Sequence, residues 1–163
     1  METNVATSLK ISSHPLLGIW NLYFHLPQDK RWDIKSYEII ASDINSAERA
    51  IIINESLPEK IVKYCMLFIM RKGVTPMWED PANRDGGCFS FKVLNKVVDT
   101  VWKELFYAVC GETLFKNKSH NKNVTGITVS PKRNFCVIKV WLGGCSIQDP
   151  NTMIDILNLS KEG

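Results

Sequence analysis

The chain has 163 residues, 45% of them apolar and 23% charged, with a formal charge of +3. That is the balance of one ordinary globular domain able to bury a core without disulfides or metals. A charge this small permits an anionic partner without demanding one, no apolar run is long enough to span a bilayer, and Met1–Ser13 lacks the apolar centre of a signal peptide. The expectation is a cytoplasmic protein with a mobile tail over residues 1–13 and a single domain over 14–163.

The five cysteines, Cys65, Cys88, Cys110, Cys136 and Cys145, are scattered and read as packing thiols. With three histidines and no clustered ligands, neither a structural metal nor a cofactor is expected.

In chain order, Gly18–Leu26 alternates, with Trp20, Leu22 and Phe24 on one side and Asn21, Tyr23 and His25 on the other. This predicts a half-buried strand ended by the Pro27–Lys30 turn. Trp32–Ala41 reads as a second strand, and Ser46–Ile53 as a short helix with Ser46 as its N-cap. The apolar segment Ile61–Arg71 reads as a strand, stopping at Lys72-Gly73. Cys88–Leu94 is β-like after Gly86-Gly87. Val98, Val101, Trp102, Leu105, Phe106 and Val109 recur at three- and four-residue spacing, which predicts a helix over Val97–Cys110 with Gly111 as its stop.

A polar loop, Glu112–Thr125, then leads to a strand pair, Gly126–Val129 and Phe135–Leu142. Pro150–Leu157 reads as a last helix capped by Asp149. Strands arriving as hairpins with helices between them predict an α+β domain whose antiparallel sheet is covered by helices on one face and open on the other.

Two tryptophans stand outside any apolar run. Trp78 lies beside Glu79 and Asp80 in a loop, and Trp32 sits at a turn between Arg31 and Asp33. A single such Trp most simply folds back on its own sheet. Two, with a neighbouring carboxylate, suit a flat cationic purine: indole faces attract cations, and a carboxylate accepts paired hydrogen bonds from a guanine edge. Trp141 fits a core position in its alternating strand as well as a pocket floor.

The motif Pro76-Met-Trp78-Glu79-Asp80, with Asn83-Arg-Asp-Gly86-Gly87 behind it, resembles the cap-binding loop of the eukaryotic translation initiation factor 4E family. His14-Pro15-Leu16 with Trp20, Trp102 with Glu104, Gly111-Glu112, and Trp141 with Cys145 follow in the family's order. The resemblance implies a curved antiparallel sheet with helices on the convex face and a groove for the 7-methylguanosine mRNA cap on the concave side. Trp32 and Trp78 would be the stacking walls, Glu79 would read the guanine edge, and Trp141 would press on the methyl group. Lys132 and Arg133, with Lys139 behind them, would meet the phosphates.

The sequence departs from the family where Ser130 and Cys88 replace usual basic residues. The resemblance further implies a site for a scaffold or repressor peptide near His14, Pro15, Glu104, Tyr107 and Gly111, altered by Arg49 and Lys103 and bordered by the basic stretch Lys116–Lys122. It implies no enzyme: no catalytic set or phosphate-cradling glycine loop is signalled. Two other readings remain, an interaction protein or decoy with weakened cap binding and a general single-strand RNA binder.

Overall fold

The computed structural model describes residues 13–159. The first twelve residues of the expected tail lie outside the described residues.

The first strand, β1 (Pro15–His25), realises the predicted alternation: Trp20 and Leu22 are buried on one face, while Asn21 and Tyr23 point to the other. β2 (Glu38–Ser46) returns antiparallel to it. The expected strand from Trp32 is corrected here. Asp33 caps a 3-10 turn at Ile34–Ser36 by accepting from the Lys35 N–H at 2.8 Å, so pairing cannot begin before Glu38. Helix α1 (Ala47–Ser56) starts at Ser46, whose hydroxyl accepts from the Arg49 N–H.

The apolar segment after it divides in two. Ile61–Tyr64 forms a one-turn helix, α2, and only Met66–Arg71 forms strand β3, pairing with β1 on one side. A short helix α3 (Pro81–Arg84) precedes β4 (Gly87–Leu94), and α4 (Val98–Cys110) follows. β5 (Val124–Pro131) and β6 (Phe135–Leu142) close the sheet as a hairpin. The strand order is β2-β1-β3-β5-β6-β4, and every neighbouring pair is antiparallel.

Helix α4 carries the core. Its apolar stripe from Val98 to Val109 joins Trp20, Leu22, Ile69, Ile127, Ile138 and Val140 in one buried cluster on the helical side of the curved sheet. Each large side chain buried this way contributes about 1.5–3 kcal/mol. Gly111 ends α4 in ordinary helical geometry at φ −80°, and Glu112 takes the left-handed conformation at φ 51°. That conformation costs a non-glycine residue energy, and Arg71 Nη1 donating to Glu112 Oε1 at 2.6 Å holds it. The expected last helix is a 3-10 turn at Pro150–Thr152, after which the described residues form no further helix or strand, only an isolated bridge between Met153 and Phe115.

Candidate functional site

On the sheet face opposite α4, strand register collects a set of side chains. Phe68 of β3 pairs with Thr128 of β5, which pairs with Lys139 of β6, and Trp141 of β6 lies opposite Cys88 of β4. Two loops rise beside this floor. One follows β1 and carries Trp32; the other follows β3 and carries Trp78 and Glu79.

Together they enclose a cavity of about 250 Å³ lined by Trp32, Tyr37, Met66, Phe68, Pro76, Trp78, Glu79, Thr128, Ser130, Lys139 and Trp141. Four of the expected residues, Trp32, Trp78, Glu79 and Trp141, therefore share one pocket. Lys132 and Arg133 do not line it; they are exposed in the β5–β6 turn, and the cation at the pocket is Lys139.

The five tryptophans divide cleanly. Trp20 and Trp102 are 0% exposed and belong to the core, whereas Trp32 and Trp78 are 55% and 47% exposed. Leaving two indoles half in water forfeits burial that the fold exploits elsewhere, so the placement points to a ligand. Trp78 lies 5.4 Å from Trp141 at a 52° tilt, and the Trp141 Nε1–H donates to the Thr128 hydroxyl at 3.3 Å. Trp141 is thus a pocket residue rather than a core one.

Glu79 accepts no hydrogen bond from another described residue, which leaves its carboxylate open to the cavity. Its charge reaches Tyr37: burial, and then Glu79, push the Tyr37 phenol above its ordinary value of 10.0.

The Trp78 loop is fixed by two residues whose role sequence reasoning missed. Asp80 caps α3 by accepting from the Ala82 N–H at 2.8 Å and reaches back to the Thr75 N–H and hydroxyl at 2.7 and 2.8 Å. Burial alone would raise the Asp80 carboxyl, but these three bonds outweigh it and hold the group below its usual 3.8.

Asn83 is 1% exposed. Its amide donates to the Met77 and Thr75 carbonyls at 2.8 and 3.3 Å, and its Oδ1 accepts from the Thr125 hydroxyl at 2.7 Å. The loop is therefore stapled to β5. Gly86 closes the turn where a Cβ would lie 1.7 Å from the Leu142 carbonyl oxygen, a space that only glycine tolerates. Tyr37, Met66, Phe68 and Thr128 were also missed as pocket residues. The period-two pattern of their strands was the signal for the last three.

A second surface lies on the helical side. Leu16, Ala47, Ala50, Ile51, Tyr107, Cys110 and Gly111 line an apolar groove of about 470 Å³ between α1 and α4. Of the expected partner residues, Tyr107 and Gly111 line it. His14 stands at its end, where its backbone N–H and Nδ1 meet the Glu48 carboxylate and hold Glu48 down at about 2. Pro15 pairs with Ser46, and Glu104 is exposed beyond the lining.

The expectation that Arg49 and Lys103 alter the groove is corrected. One helical step is 100°, so Arg49 points away from the Ala47, Ala50 and Ile51 face, and its Nη2 donates to the Ser42 carbonyl at 2.8 Å. Lys103 pairs with Glu55 at 3.1 Å, outside the groove.

An antiparallel sheet covered by helices on one face, with an aromatic, carboxylate-edged pocket on the other, defines a small α+β domain with an open-faced cavity. Its family is shown by sequence. The profile described as "Eukaryotic initiation factor 4E" matches residues 15–162, and the chain belongs to that family.

Among curated relatives, it is 29% identical over 143 residues to eukaryotic translation initiation factor 4E-2 of Schizosaccharomyces pombe, covering 85% of this chain and 58% of that protein. It is 47% identical over 62 residues to the initiation factor 4E homolog of Acanthamoeba polyphaga mimivirus, covering 38% of this chain and 23% of that one. The chain therefore spans little more than half the length of the first of these. Among solved structures it resembles Ascaris suum eIF4E-3 in complex with m7G cap (TM-score 0.74, 20% identity, 86% of this chain and 79% of that one). It also resembles Caenorhabditis elegans eIF4E-3 in complex with the 4E-binding protein Mextli (TM-score 0.74, 19% identity, 86% and 81%). At these identities the solved structures speak for the fold alone.

Proposed function

We propose that the chain binds the 7-methylguanosine cap of mRNA and brings capped messages to translation initiation. The observation that carries this reading is the single pocket shared by two half-exposed indoles, a third indole at its floor and an unbonded carboxylate. A guanine methylated at N7 is cationic. Stacking it between the faces of Trp32 and Trp78 adds about 0.5–2 kcal/mol per favourable face beyond ordinary contact. Glu79 accepts from the N1 and N2 edge in charge-assisted bonds, which are about twice as strong as neutral ones. Trp141 packs against the methyl group.

The phosphates leave the pocket past Lys139, with Lys132 and Arg133 further out in the β5–β6 turn. The reading needs no reaction step, so holding the cap is the activity. Family membership and the fold shared with m7G-cap and m2,2,7G-cap complexes of Ascaris eIF4E-3 support it.

The apolar groove between α1 and α4 supports a second contact, with an amphipathic helix of a scaffold or repressor protein. The family relatives solved with Mextli and 4E-BP agree with this.

The test is tryptophan fluorescence titration with 7-methyl-GTP and GTP side by side. Tight, saturable quenching by the methylated nucleotide and weak quenching by GTP are expected. Equal affinity for the two would refute the reading and leave the interaction-protein or general RNA-binding alternatives.

A further inference from the structure

Trp32 has two faces, and only one of them meets the pocket. Against the other lies His25, with ring centroids 4.3 Å apart and planes within 2° of parallel. His25 is 1% exposed and does not line the cavity, so the indole separates imidazole from pocket. Tyr37 stands edge-on to both rings, 5.1 Å from His25 and 6.5 Å from Trp32.

The protonation of this imidazole is readable from its bonds. Its Nε2 lies 2.8 Å from the Arg31 carbonyl oxygen, which only accepts, so Nε2 carries the proton. Nδ1 is buried and has no hydrogen-bond partner among the described residues. The stack as built is therefore a neutral imidazole, and a second proton on Nδ1 would create a cation with nothing to bond it.

Of the charged groups around it, Asp29 is near enough for a charge on His25 to act on it, although Arg31 is its main partner. Asp29 is held by Arg31 at 2.7 Å, Asp33 accepts from the Lys35 N–H, and Glu79 stands across the pocket. β3 offers Met66 and Phe68, which carry no charge.

We infer that His25 is a positioning residue that holds Trp32 as the outer wall of the cap pocket, and that its protonation opposes cap binding. This rests on the cap reading. One indole then lies between imidazole and purine, and both cations draw on the same electron-rich ring. The positive charges would stand about 9 Å apart, with the second stack given ordinary aromatic spacing. At an effective dielectric between protein surface and water, their repulsion weakens binding about 5- to 20-fold. The sign follows: the bound cation disfavours the imidazolium, so affinity is full where His25 is neutral and falls as pH drops.

The test is 7-methyl-GTP titration of the full chain at pH 5.5 and 7.5, in wild type, His25→Phe and His25→Ala. Phe keeps the stacked ring and cannot titrate. Wild type is expected to lose about 5- to 20-fold in affinity on acidification. His25→Phe should bind like wild type at pH 7.5 and about 5- to 20-fold more tightly than wild type at pH 5.5. His25→Ala should be weaker at both. Titration of the nucleotide itself is common to all three proteins and cancels in the ratio.

An acid loss of the same size in His25→Phe overturns the inference. Absence of binding by wild type at pH 7.5 overturns the cap reading instead. If His25→Phe does not fold, wild-type emission without nucleotide serves. Acid quenching that disappears in Trp32→Phe is expected, and quenching unchanged in Trp32→Phe refutes the stack.

Discussion

Asn83 is the place where fold and site can be tested with one substitution. Asn83→Ala deletes two amide donors and one acceptor, at 2.8, 3.3 and 2.7 Å from the Met77 carbonyl, the Thr75 carbonyl and the Thr125 hydroxyl. Each buried bond is worth about 0.5–1.5 kcal/mol net, and each stranded polar partner costs about 1–3 kcal/mol. Because the loop can relax to let water reach Thr75 and Met77, about 3 kcal/mol is the expected loss. With a urea slope of about 2 kcal/mol per molar, the unfolding midpoint should fall by about 1.5 M.

The same loop carries Trp78 and Glu79, so 7-methyl-GTP affinity should drop at least about tenfold in the folded protein at low denaturant, even though residue 83 does not line the pocket. Asn83→Asp should be worse than Asn83→Ala at neutral pH, because it buries a charge beside two carbonyls. A wild-type midpoint together with wild-type affinity in Asn83→Ala would refute the claim that this amide staples the loop to β5.

Other consequences can be checked in parallel. Trp32→Ala and Trp78→Ala should each weaken 7-methyl-GTP binding by about 1–3 kcal/mol in fluorescence titration, while melting temperature changes little because both indoles are half exposed. Lys139→Ala should lower the slope of log affinity against log salt by about 0.7, and Lys132→Ala by less, since Lys139 alone of the two lines the pocket. Gly86→Ala should destabilise by about 2 kcal/mol or more in urea unfolding, because the added Cβ would meet the Leu142 carbonyl oxygen at 1.7 Å and force β4 away from β6. Asp80, held below its ordinary 3.8, contributes stability that is complete above that pH and lost as pH falls through its folded value. Asp80→Asn should flatten that part of the acid limb in thermal melts between pH 2 and 5, leaving the contributions of Asp29 and Glu48 unchanged.

Much of this molecule was legible because its packing is periodic. The alternation of Trp20 and Leu22, and the three- and four-residue spacing along α4, each report one face of a regular element, and both faces are where the pattern puts them. The pocket tryptophans were legible for the opposite reason: Trp32 and Trp78 break the pattern and stand among charges.

What stayed hidden has no period. Asn83 is a polar residue that is buried because three partners surround it, and nothing in its neighbours along the chain foretells Thr125 on β5. Asp80 reads as one more solvated acid until Thr75 folds back on it. The start of β2 was misjudged because Trp32–Ala41 is rich in β-forming residues, whereas the side chain of Asp33, accepting from the Lys35 N–H, turns the chain aside. The groove was misread through Arg49, which the resemblance set in the partner site but whose helical phase turns it away from the groove-lining face.

These misses share a cause that bears on the site itself. The residues that line the pocket are spread over two loops and three strands, but what sets their geometry is a few polar anchors in the loops between them. Asp33 ends the Trp32 turn, the Arg31 carbonyl fixes the proton of His25, and Asp80 with Asn83 fixes the Trp78 loop. The sheet supplies only the floor, through Phe68, Thr128 and Trp141. Affinity for a flat cation then depends less on how many indoles are present than on whether both walls are held ready before the ligand arrives, since ordering a loose wall on binding would consume the stacking energy it provides. A relative with the same tryptophans but without the anchors would keep the pocket's composition and lose its grip. On the proposed reading, changes to Asp33, Asp80 or Asn83 that spare every pocket-lining residue should therefore still weaken cap binding.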